Sequence, residues 1–136
     1  MRNAKFAGLL VLSLFLAACG STPTWEGFSP AEAENLQALG LSAGEAGKYR
    51  EMGFNSDTVK RWFDAGLKDR NTITTWHDAG YHAEAAGDWH RAKFNLTDAS
   101  KWQNSGFSAV DAEDWRNKGF DIKEAKKLRE RGLSAE

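Results

Sequence analysis

The chain has 136 residues, 18 of them basic and 19 acidic, with a formal net charge of −1 at neutral pH. That length suits one domain, and the near-balance of charge gives no electrostatic reason to expect nucleic acid or an anionic lipid surface as a partner. The single cysteine, Cys19, excludes a disulfide framework within the chain.

The first element reads as an export segment. Arg2 and Lys5 form a positive n-region, Phe6 to Leu16 form an apolar run, and no acidic residue occurs before Glu26. A run of about eleven residues fits a secretory h-region and falls short of the roughly 20 that a spanning helix needs. It ends in Leu16-Ala17-Ala18-Cys19-Gly20, which resembles the lipobox of bacterial lipoproteins. The resemblance implies that residues 1–18 are a signal peptide cut just before Cys19, and that Cys19 carries a diacylglycerol while its new amino group is acylated, with palmitate as a typical chain. Small side chains at Ala17 and Ala18 suit a peptidase cleft, and a thiolate is the natural nucleophile for a thioether. Several acyl chains anchor stably where one does not. The alternative is an ordinary signal peptide with Cys19 left as a free thiol.

Gly20 and Ser21 lack the aspartate that goes with inner-membrane retention, so the resemblance places the protein in the cell envelope, at the outer membrane if the cell is Gram-negative. Residues 19–26 then form a short lipidated tether, and the lipid on Cys19 is the expected membrane attachment.

From Gly27 onward the chain repeats. Units begin at Gly27, Gly40, Gly53, Gly66, Gly80, Lys93, Gly106, Gly119 and Gly132, 13 residues apart except for one unit of 14 from Gly66 to Ala79. Position 2 is apolar throughout (Phe28, Leu41, Phe54, Leu67, Tyr81, Phe94, Phe107, Phe120, Leu133), position 7 is small or β-branched, and position 10 is large (Leu36, Tyr49, Trp62, Trp76, Trp89, Trp102, Trp115, Leu128). Positions 7 and 10 are one i, i+3 step apart on a helix and share a face. The glycine at position 1 suits a left-handed residue just past a helix end. Position 3 supplies N-caps (Ser29, Ser42, Asn55, Asn95, Ser108, Asp121, Ser134), with Asp69 capping in place of Lys68 after the extra residue. Glu32, Glu45, Asp111 and Glu124 stand where capping boxes need them, and Pro30 stands at a first helical position.

Each unit is therefore expected to be one helix of about ten residues with a Schellman ending that joins position 10 to the next unit's position 2. Helices this short are unstable alone and must stack. The expected fold is all-α: tandem 13-residue single-helix repeats over residues 27–136, stacked as a small solenoid or compact helical coil. The unit resembles Gly-Phe-x-x-x-x-Ala-x-x-Trp repeats of various bacterial proteins, a likeness that implies an architecture and no activity.

Candidate sites are few. Trp62, Trp76, Trp89, Trp102 and Trp115, with Phe54, Phe94, Phe107 and Phe120, read as the repeated core; the competing reading makes the tryptophans a ladder of sugar-stacking rings. Trp25, in the tether, either packs on the first helix or sits in the lipid interface. His77, His82 and His90 lie within 14 residues near Asp78, Glu84 and Asp88, a weak candidate metal site whose spacing matches no strong motif. No nucleophile elbow, phosphate loop or zinc-protease motif occurs. The basic residues Lys123, Lys126, Lys127, Arg129 and Arg131 read as a solvated last helix, and Asn95-Leu96-Thr97 reads as a helix start. Position 13 runs from apolar (Leu39, Met52, Ala65, Ala79, Ala92) to polar (Ser105, Lys118, Arg131), so the early units either bury more against each other or offer a docking face.

The expected function is that of a non-catalytic envelope lipoprotein, a protein-interaction or structural scaffold without a cofactor that binds another envelope protein. The alternative is a glycan- or peptidoglycan-binding module using exposed aromatic rings, and an enzyme or metal-dependent protein stands third.

Overall fold

The computed structural model describes residues 22–135; the expected signal peptide and Cys19 lie outside them. The described residues form eight helices and no strand: α1 Pro30–Ala38, α2 Ala43–Glu51, α3 Ser56–Asp64, α4 Arg70–Asp78, α5 Ala83–Arg91, α6 Leu96–Asn104, α7 Ala109–Asn117 and α8 Ile122–Glu130. Each is nine residues long, one fewer than the expected ten, because position 13 serves as the half-helical C-cap.

Both ends of each helix are built as the repeat dictates. Ser29, Ser42, Ser108 and Asp121 complete capping boxes with Glu32, Glu45, Asp111 and Glu124. Asp69 accepts from the Thr72 amide at 2.8 Å, so the 14-residue unit caps its helix with the extra position. α5 is the exception, since its N-cap is His82 and that side chain makes no capping bond. At the other end, the position-2 amide donates to the position-10 carbonyl eight times over, from Leu41 to Leu36 at 3.1 Å through Leu133 to Leu128 at 3.1 Å. The residue in between needs positive φ, which glycine supplies in every unit but the sixth; there Lys93 adopts φ 61°.

These turns bring rings together as well as backbones. Trp76–Tyr81, Trp89–Phe94, Trp102–Phe107 and Trp115–Phe120 meet edge-on with centroids 4.9, 5.2, 5.0 and 5.5 Å apart. Position 7 closes the core from inside: Val59, Ile73, Ala86, Ala99, Ala112 and Ala125 are fully buried.

The helices stack in two rows, alternating along the chain. α1, α3, α5 and α7 pack in succession. In the other row, Met52 at the end of α2 meets the Thr74 hydroxyl of α4 at 3.6 Å, and Arg129 of α8 reaches the end of α6. One turn of the stack is therefore two units. This resolves the drift of position 13 toward polar residues. Ala65 packs under α5 beside Gly87, Ala92 is buried and Met52 half-buried, whereas exposed Lys118 and Arg131 belong to the last two helices, above which the described residues place no further helix. Position 13 is thus a stacking position at Met52, Ala65 and Ala92, whereas Ala79, at the end of α4, is exposed.

Candidate functional site

Position 11 organises the surface. Its residues are hydrophilic apart from Phe63, and the structure gives three of them a shared task. Arg50, Arg116 and Arg129 lie over the rings of Phe28, Phe94 and Phe107, with the guanidinium carbon 4.3, 3.9 and 3.9 Å from the ring centroids. The last two also close off a helix end. Arg116 donates to the carbonyls of Ala92 and Lys93 at the end of α5. Arg129 donates to those of Ser105 and Gly106 at the end of α6, at 3.0 and 2.7 Å. These carbonyls have no partner within their own helix and carry the negative end of its dipole. Arg116 and Arg129 thus each staple a helix to the ring and helix end one turn below, and Arg50 to the ring alone.

His77 holds the same position in the lengthened unit and meets the Phe54 ring edge-on at 4.8 Å. Its Nδ1 lies 3.3 Å from Asp78. His82 lines the same groove as His77, together with Phe54, Arg61, Tyr81 and Glu84, while His90 is not among its lining residues. The three histidines therefore do not converge, and no group of three His, Cys, Asp or Glu side chains among the described residues is placed to hold a metal.

The surface grooves are copies of one another. Each lies between a unit and the unit two further on, lined by positions 6 and 10 of the first, by position 2 in four of the five, and by position 11 in between where it reaches, against the N-cap turn of the other. The groove lined by Asp98, Lys101, Trp102, Arg116, Phe120 and Lys123 has a volume of about 630 Å³, against 130–280 Å³ in four equivalents.

The five repeat tryptophans are 3–6 % exposed and belong to the core. A ladder of stacking rings is not available on them, and no aromatic residue among the described ones is fully exposed. Trp25 is half-buried against the Phe28 ring at 5.5 Å, so it packs on the first unit. Pro23 lies against α2, where a Cβ on Gly44 would meet its Cγ at 3.2 Å. Asn95 spends its side-chain carbonyl on capping α6, 2.8 Å from the Asp98 amide. In the basic last helix, Lys123, Lys126, Lys127 and Arg131 are exposed and Arg129 is taken by its staple.

Titration effects gather at the caps. The Ser29 amide and hydroxyl hold the Glu32 carboxyl below its usual range, and the Ser42 hydroxyl, then its amide, do the same for Glu45. The Thr72 amide and hydroxyl lower Asp69, and burial pushes the Tyr49 phenol up. Each carboxyl shift follows from a capping bond.

No protein-family model, no curated protein and no solved structure matches the chain.

Proposed function

We propose that this protein is a lipid-anchored lipoprotein of the bacterial envelope whose helical stack is a non-catalytic interaction scaffold. The observation that carries the scaffold reading is the uniformity of the surface: the grooves repeat one design, and the carboxyl shifts belong to helix caps. A surface built by repetition presents many equivalent contacts in a line, which suits an extended macromolecular partner better than a single small substrate. The anchor rests on Leu16-Ala17-Ala18-Cys19. With Pro23 and Trp25 packed on the first units, only Gly20, Ser21 and Thr22 separate Cys19 from packed chain. That reach is at most about 14 Å, so the scaffold works at the membrane surface.

Fatty-acid labelling of the wild type and of Cys19→Ala, with fractionation, tests the anchor. Label on the wild type in the membrane fraction and its loss in Cys19→Ala are expected; an unlabelled, normally processed wild type overturns it. Cross-linking in intact envelopes tests the scaffold, for which a discrete protein adduct is expected. A chain recovered only as a monomer argues against the reading.

A further inference from the structure

Among the described residues, one kind of receptor is filled by a guanidinium three times and by an imidazole once, and one further copy is open. At Phe28, Phe94 and Phe107 a guanidinium covers the ring. Behind Phe94 and Phe107 the same group takes the carbonyls at the end of the preceding helix. Phe54 carries the His77 imidazole instead. Phe120 is built in the same way: its amide donates to Trp115 at 3.0 Å, its ring meets the Trp115 indole at 5.5 Å, and Gly119 before it has φ 85°. Yet the Phe120 ring is half-buried and no cation lies over it among the described residues. The Gly119 carbonyl, the counterpart of those on Lys93 and Gly106, accepts no hydrogen bond among them.

The chemistry that fits is set by the filled copies. A ring face and a helix-end carbonyl are both negative, and they stand at the spacing that a planar guanidinium bridges. The charges lining the adjoining groove do not compete strongly. Asp98 pairs with Lys101 at 3.6 Å, Arg116 is held on Phe94, and the Asp121 side chain caps α8, which leaves Lys123 in solvent at the rim. The open ring lines the groove of about 630 Å³.

We propose that the slot formed by Phe120 and Gly119 binds an arginine side chain presented by a partner protein, seated as Arg129 is seated on Phe107. That the partner is a protein rests on the scaffold reading; that its contacting group is a guanidinium rests on the three internal copies. The probe is a synthetic peptide with the sequence of residues 121–132 (DIKEAKKLRERG), which contains the segment that fills the equivalent slot. It is titrated into the full-length chain in detergent and followed by NMR at the Phe120 ring and Gly119 amide. Saturable shifts at those two residues are expected at millimolar concentration or below. Binding is expected to weaken about tenfold when both peptide arginines become lysine, and likewise in Phe120→Leu. That variant keeps a residue already used at position 2, at Leu41, Leu67 and Leu133, so its fold is preserved. Absence of saturable shifts, or equal shifts with the lysine peptide, overturns the slot. Peptide binding without any protein adduct in envelopes would keep the slot and sink the scaffold; an adduct that survives Phe120→Leu together with a silent titration would do the reverse.

Discussion

Gly87 and Gly47 occupy the same position of their units, in the middle of α5 and α2, and only their surroundings differ. A Cβ on Gly87 would sit 2.6 Å from the Ala65 carbonyl oxygen and 2.9 Å from the Ala65 Cβ, both fixed by the end of α3. The same atom on Gly47 meets nothing within 4 Å. Alanine gains up to about 1 kcal/mol over glycine in a helix, whereas overpacking costs about 1–3 kcal/mol. Gly47→Ala is therefore expected to stabilise by about 0.5–1 kcal/mol, and Gly87→Ala to destabilise by about 1–2 kcal/mol while loosening the Arg91 bond to the Ala65 carbonyl. Urea midpoints of the two variants check the pair, and a stabilising Gly87→Ala would mean that α3 and α5 are further apart. Lys93 holds its left-handed turn against a steric cost that the glycines avoid, so Lys93→Gly is expected to raise stability by about 0.5–1 kcal/mol in the same assay.

A nine-residue helix does not hold itself, so its ends and its neighbours must hold it. The caps make that dependence visible in pH. Glu32, Glu45 and Asp69 titrate below their unfolded values of about 4.3 and 3.9 because amides and hydroxyls donate to the charged form. A depressed carboxylate contributes stability that is fully present above the unfolded value and lost as pH falls through the folded one. Melting temperature should accordingly stay level from pH 7 to about 5 and drop below about pH 4. Glu32→Gln/Glu45→Gln should start lower and fall less steeply, and parallel curves for the two proteins would refute a role for the caps. Most of this level of structure was legible from residue types. Ser29-x-x-Glu32, Asp69 after the extra residue and the run of glycines each state a local rule that neighbours within one unit suffice to satisfy. What was not legible from within a unit is the alternation of rows. Comparing units with themselves says nothing about whether a helix packs on the next one or on the one after.

The staples belong to the whole stack, and they left a trace that only a longer comparison finds. Arginine at position 11 follows phenylalanine at position 2 of the preceding unit, 22 residues earlier, in Phe28/Arg50, Phe94/Arg116 and Phe107/Arg129; where that residue is leucine or tyrosine the partner is Phe63, His90 or Gln103. Read one unit at a time, position 11 looks merely hydrophilic apart from Phe63, and the open copy at Phe120 has no signature at all. Arg116→Ala removes a ring contact and two carbonyl bonds, for an expected loss of about 2 kcal/mol. Arg116→Lys keeps the charge without the fork and should recover less than half of it. Gln103→Ala, at the same position, should cost under about 0.5 kcal/mol. Equal losses for Arg116→Ala and Gln103→Ala in chemical denaturation would show that the staples do not bind the turns together.

The hydrogen bonds that join one turn to the next are short in chain terms: they link residues 19 to 26 apart, from Tyr81–Ser100 to Ala65–Arg91. No bond between turns waits on the closure of a large loop, so assembly proceeds by winding, each turn laid on the one before it. The same locality governs dismantling. A pull on either end of the described stack loads the outermost turn alone, and the chain comes off as thread leaves a spool, roughly 26 residues at a time, with the remaining turns still wound.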